Sequence, residues 1–141
     1  MEPALIFDND FIWMVYHEDT KIIHHHYYPK LNSHYLRAGL DTGIDVMMEE
    51  GCNKWLSDNR EVVAHSPEDT EWINTDWLPR AVDAGWKYWA LVVPSDTIAL
   101  MNMTEFINSF YDMGVWVSVF SDPDEAWDWL ISREGQTQTA I

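Results

Sequence analysis

Residues 11–28 read Phe11-Ile12-Trp13-Met14-Val15-Tyr16-His17, then Glu18-Asp19-Thr20-Lys21, then Ile22-Ile23-His24-His25-His26-Tyr27-Tyr28. Two runs rich in β-branched and aromatic residues flank a short polar segment, and this pattern predicts a β-hairpin. Pro29 closes it, because proline cannot donate to a ladder. A turn centred between Asp19 and Thr20 pairs Tyr16 with Ile23, Val15 with His24 and Trp13 with His26. Alternation along each strand then puts His17, His24 and His26 on one face and His25 on the other.

Working outward, the period changes. From Asn32 to Glu50, Leu36, Leu40, Ile44 and Met47 or Met48 recur at helical spacing, with Gly51 as the stop. Gly39 and Gly43 weaken that helix on propensity alone. Lys54 to Asp58 reads as a short strand. Ser66-Pro67-Glu68-Asp69 opens a second helix, with Ser66 as N-cap and two acids at the positive end of the dipole. That helix runs to about Ala84, and Pro79 within it predicts a kink or break near Leu78. Tyr88 to Val93 is a continuous apolar run, which suits a parallel strand covered on both faces. Met103 to Met113 is a third helix, with Phe106, Ile107 and Phe110 on one side. Val115 to Phe120 is the last strand. Asp122-Pro123-Asp124-Glu125 caps a fourth helix whose buried face holds Ala126, Trp127, Leu130 and Ile131.

The order β-β-α-β-α-β-α-β-α predicts an α/β fold: a mostly parallel five-stranded sheet with four helices and an N-terminal β-hairpin near one edge. The expected layers are helix, sheet, helix. Residues 1–133 form one domain, and 134–141, polar and unpatterned, form a flexible tail.

Composition excludes several function classes. Lys and Arg total 8 against 24 Asp and Glu, a formal charge of −16. A nucleic-acid partner is disfavoured, since phosphate contacts need cations, and so is an anionic membrane surface. The chain is 47% apolar and 14% aromatic, which separates it from disordered acidic segments. Cys52 is the single cysteine, so no internal disulfide is possible. No basic n-region, leader-like apolar stretch or membrane-spanning run is present, and a cytoplasmic protein is expected. The Asn102-Met103-Thr104 sequon reads as a chance match.

Lys54-Trp55-Leu56-Ser57-Asp58-Asn59-Arg60, Ser66-Pro67-Glu68-Asp69 with Trp72, Trp77 and Pro79-Arg80-Ala81, Ala90-Leu91-Val92-Val93-Pro94 and Phe120 to Leu130 together give the chain a likeness. Over roughly residues 10 to 132 it resembles the STAS domain, in its SpoIIAA-like (STAS/SEC14-type) branch. That resemblance implies a non-catalytic binding or regulatory module, switched in some members by phosphorylation of a serine after the third strand. Here Ser57-Asp58-Asn59-Arg60-Glu61 occupies the place. Asn59 stands where that serine would be and no glycine follows, so the switch does not carry over. Analogy to lipid-cradling relatives implies an alternative: a carrier of an apolar small molecule, lipid or quinone-like, in a groove between helices and sheet.

Ligands of open α/β sheets sit beyond the carboxyl ends of the strands. That edge carries Asp58, Asn59 and Arg60, then Ser95 and Asp96, then Ser121 and Asp122. Arg60 is suited either to an anionic group or to pairing with Asp58. Ser66 is either a plain N-cap or a phosphorylation site displaced along the loop. Trp72 and Trp77, five positions apart on one helix, are separated by about 140°. Both cannot face the sheet squarely: either one of them is exposed or lines a groove beside Pro79, where a ligand, a protein partner or a homodimer contact would cover it, or both pack awkwardly into the core. His17, His24 and His26 are the candidate metal ligands of a less favoured reading, a metal-dependent enzyme. No cofactor motif is present, and neither a glycine-rich phosphate loop nor a nucleophile elbow occurs.

Overall fold

The computed structural model describes residues 2–62, 65–98 and 104–139, with side chains for all of these except 104–106 and 134–139. The strands are β1 (Ala4–Asp8), β2 (Ile12–His17), β3 (Ile22–Tyr27), β4 (Lys54–Asp58), β5 (Tyr88–Val92) and β6 (Trp116–Phe120). They form one six-stranded sheet in the order β1-β2-β3-β4-β5-β6. The first two pairings are antiparallel and the remaining three parallel, so the sheet is mixed.

The hairpin register matches the sequence reading: Trp13 faces His26, Val15 faces His24 and Tyr16 faces Ile23. The sixth strand corrects the expected five. Asn9 builds the turn that brings β1 back onto β2, its side chain accepting from the N–H of Phe11 at 2.8 Å and of Ile12 at 3.0 Å. Asp8-Asn9-Asp10 between two strand-like runs was the legible signal for it. A register shift between Leu5 and Phe7 marks a bulge in this edge strand.

The helices are α1 (Ser33–Glu50), α2 (Pro67–Trp72), a π-helical turn (Ile73–Trp77), α3 (Leu78–Asp83), α4 (Thr104–Asp112) and α5 (Pro123–Thr139). Asn32 caps α1, and Gly51, in the left-handed region at φ 67°, ends it. Ser66 caps α2, accepting from the Asp69 N–H at 3.1 Å. The backbone stays right-handed helical through Trp72, Ile73, Trp77 and Leu78, so α2, the π turn and α3 are one continuous helix.

Near Leu78, where a kink or break was expected, the regular α-helical ladder gives way to the π turn while the backbone stays helical. Leu78 N–H reaches back five residues to Ile73 O, and the widened turn accommodates a residue that has no N–H of its own. α5 spans Pro123–Thr139. Residues 140–141, the Asn102-Met103 pair of the sequon and the Phe106 side chain lie outside the described residues.

Sequential strand order decides the layering. When every parallel strand is added on the same side, right-handed crossovers put every crossover helix on one face. The core follows this rule. Leu36, Leu40, Ile44 and Met47 of α1, Trp77 of the π turn, Leu78 and Ala81 of α3 and the half-buried Phe110 of α4 pack on one face of the sheet, against Ile12, Met14, Ile23, Tyr27, Trp55, Leu91 and Val117. On the other face Ala126 and Leu130 of α5 cover Ile22, Leu56, Ala90 and Val92. The layers are helix, sheet, helix, but the parallel strands never reverse order, so the switch-point crevice of doubly wound sheets is missing. No helix among the described residues is long and apolar enough to cross a membrane.

Candidate functional site

On the three-helix face lies a cavity of about 270 Å³. Its sheet wall is Tyr27 of β3, Trp55 and Ser57 of β4 with Asn59 beyond it, and Trp89 and Leu91 of β5. Period-two alternation puts Trp55 and Ser57, and Trp89 and Leu91, on the same face. The helix wall is Leu36 and Leu40 of α1, Ile73, Asn74 and Trp77 of the π turn, Leu78 of α3 and Phe110 of α4. Thr70 and Asn74 are exposed and mark the rim, whereas Tyr27, Trp55, Trp77 and Trp86 are buried and mark the floor.

The aromatic rings meet edge-on or tilted. Trp55 and Trp77 are 5.6 Å apart at 83°, Trp77 and Trp86 5.4 Å at 64°, and Trp86 and Trp89 5.3 Å at 56°. Most of their polar atoms are satisfied within the protein. Trp55 Nε1–H donates to His25 Nδ1 at 2.8 Å, Trp77 Nε1–H to Leu40 O at 2.8 Å, Trp89 Nε1–H to Ser57 Oγ at 2.9 Å, and Tyr27 OH to Leu36 O at 3.0 Å. Two lining side chains differ. Trp86 Nε1 and His65 Nδ1 are buried without a hydrogen-bond partner among the described residues. The Asn59 side chain hydrogen-bonds to His25 and favours its protonated form against burial.

Burial sets the charge state around the cavity. It pushes His25, behind Trp55, down to about 3. It lowers His65 as well, against the opposing pull of Asp69. Both imidazoles are neutral at neutral pH.

Of the residues singled out in the sequence, Asn59 and Trp77 line the cavity and the others do not. Trp72 lies outside it, half-buried, with the guanidinium groups of Arg37 and Arg80 at 5.0 Å and 5.8 Å from its ring. Asp58 and Arg60 form a separate cluster: Arg60 Nε and Nη2 donate to the two Asp58 oxygens at 2.9 Å and 2.7 Å. Asp58 also faces His26 Nδ1 at 3.2 Å, and His26 Nε2 contacts Glu61 Oε2. Burial works to raise the Asp58 carboxyl, but its bonds from Arg60 and His26 outweigh burial and hold it below the ordinary value. Ser66 is an N-cap, and Ser95 and Asp96 are exposed in the turn after β5.

His17, His24 and His26 share a face as expected, but their rings turn to different partners. His17 and His24 stack 5.9 Å apart, His17 meets Trp127 and His24 meets Trp13. Among the described residues no group of three His, Cys, Asp or Glu side chains is placed to hold a metal ion. Sequence reasoning missed Tyr27, Trp55, His65, Trp86, Trp89 and Phe110 as one constellation. The surplus of nine tryptophans was the available signal.

No protein-family model, no curated protein and no solved structure matches the chain.

Proposed function

We propose that this chain is a small-molecule binding module, of the STAS-like kind its element order resembles, which holds an apolar molecule in the aromatic cavity. The supporting observation is the cavity itself. About 270 Å³ of space sits against Trp77, walled mainly by apolar atoms, in a region where side chains ordinarily interdigitate without voids. An apolar cavity of about 150 Å³ accommodates benzene, so this one admits a two-ring compound but not a diacyl lipid. The carrier reading therefore narrows to compact ligands, with the ring of a quinone as an upper size.

Xenon tests this directly, because apolar cavities take it up. Methyl shifts under xenon should concentrate at Leu36, Leu40, Leu78 and Leu91. A Leu40→Trp variant that fills the space should lose them while keeping the native spectrum elsewhere. Shifts scattered over the surface, or unchanged in Leu40→Trp, would count against the reading. Native mass spectrometry of gently purified protein would add support through a small co-purifying mass.

A further inference from the structure

We infer that the occupant is an uncharged amphiphile: an apolar body of about ten carbons on the aromatic floor, with one hydroxyl, carbonyl or amide group held at the mouth by Thr70 and Asn74. This rests on the cavity reading above and deepens it by naming the class of ligand.

The floor offers a ligand apolar contact. Trp55, Trp77 and Trp89 each give the indole N–H to a protein acceptor, and Tyr27 gives its hydroxyl to a carbonyl. Trp86 Nε1 and His65 Nδ1 have no partner among the described residues, but both nitrogens are sealed from the cavity space, so neither can meet a ligand group. A polar group carried down to the floor would give up water for side-chain atoms already engaged or out of reach.

The mouth differs. Thr70, Ile73, Asn74, Trp77 and Leu78 recur at i, i+3, i+4, i+7 and i+8 along one continuous helix, and all five line the cavity. A stripe with that spacing is apolar when it faces a closed core. This one carries two uncharged polar side chains, and both lie where it reaches solvent. They are neighbours on the helix surface, so one head group can meet both. The Asn74 amide offers two donors and an acceptor, and the Thr70 hydroxyl a donor and an acceptor. A hydroxyl, carbonyl or amide placed there keeps its hydrogen bonds while the body attached to it is buried.

Charge selects among head groups. No Lys, Arg, Asp or Glu is among the described residues lining the cavity. A carboxylate would find no cation on that wall and would meet a chain of net charge −16. An ammonium would find no carboxylate there to pair with.

The test uses four probes with one apolar body and different heads: butylbenzene, 4-phenylbutan-1-ol, 4-phenylbutanoate and 4-phenylbutylammonium, titrated into the full chain by calorimetry. The alcohol should bind about threefold or more tighter than each of the others. Asn74→Leu and Thr70→Val should each lower the ratio of alcohol to butylbenzene affinity by about threefold or more, and either variant serves if the other does not fold. Nuclear Overhauser contacts should link the phenyl ring to Trp55 and Trp77 and the carbinol protons to Asn74. Equal or tighter binding of butylbenzene or a charged probe, a ratio unchanged in both variants, the reverse orientation, or no probe binding despite a xenon response would overturn this inference and leave the cavity reading standing. No probe binding together with no xenon response would overturn both.

Discussion

His25 Nδ1 accepts a 2.8 Å hydrogen bond from the indole N–H of Trp55, and both side chains are buried between the sheet and α1. The bond fixes the tautomer, since an acceptor Nδ1 leaves the proton on Nε2. It also ties the wall of the cavity to a group that cannot be charged in place. Burial lowers His25 from 6.5 to about 3, and burial likewise lowers His24 to about 4. Between the folded and unfolded values only the unfolded chain binds the proton, so stability is greatest above about pH 6.5 and falls as the pH drops toward 3. Urea midpoints measured from pH 7.5 to 4.5 should decline from about pH 6.5 downward. His25→Gln, whose amide oxygen can still accept from Trp55, should flatten part of that slope. A midpoint constant down to pH 5 would contradict this.

Gly43 sits where Trp55 meets α1, and a methyl group there would overlap Cη2 and Cζ3 of the indole. Gly39, one turn earlier, plays the same part toward Ile12. The propensity cost of two helical glycines thus permits close helix–sheet approach. Gly43→Ala, which improves intrinsic helix propensity, should nevertheless destabilise by about 1–3 kcal/mol in chemical unfolding. It should also shift near-ultraviolet circular dichroism through Trp55.

Asp58 is a buried carboxylate held by Arg60 and His26. Its pKa is depressed, so its contribution is complete above the unfolded value of 3.8 and is lost as the pH falls below it. Asp58→Asn should cost on the order of 1–3 kcal/mol at pH 7, and the deficit should shrink toward pH 3. Arg60→Ala removes an exposed partner and should cost less than about 1 kcal/mol.

Ser66 Oγ accepts from Asp69 N–H, and the Asp69 carboxylate in turn accepts from Ser33 Oγ at 2.7 Å and Arg37 Nε at 3.0 Å. The cap therefore anchors the start of the cavity-lining helix to α1. Ser66→Ala should lose about 1 kcal/mol in thermal unfolding, and Ser66→Asn, an equally good cap, should lose much less. Equal losses would mean the hydroxyl acts through something other than capping.

The hairpin register, the caps at Asn32 and Ser66 and the stop at Gly51 were legible because each depends on residues within a few positions of one another. β1 was missed because five residues of an edge strand carry little periodicity, and Asp8-Asn9-Asp10 was the only strong cue. Pro79 marked the place where the helical ladder changes, but proline forbids a hydrogen bond without saying how the helix adapts, so the π turn itself was not legible. Of the candidate site, the sequence supplied Asn59 and Trp77 but not their companions. Arg60 and Trp72 were legible as chemistry, but only the folded chain shows them occupied by Asp58 and by two arginines.

Periodicity, turn chemistry and caps, acting over one or two turns of chain, determined the elements, their order and the face each strand presents. Tertiary structure decided where space was left over. Trp55 reaches His25 across 30 positions and Trp77 reaches Leu40 across 37, satisfying their N–H groups, while Trp86 finds no such acceptor among the described residues. The cavity and its unmet donor are differences between long-range packings, and no local pattern encodes such a difference.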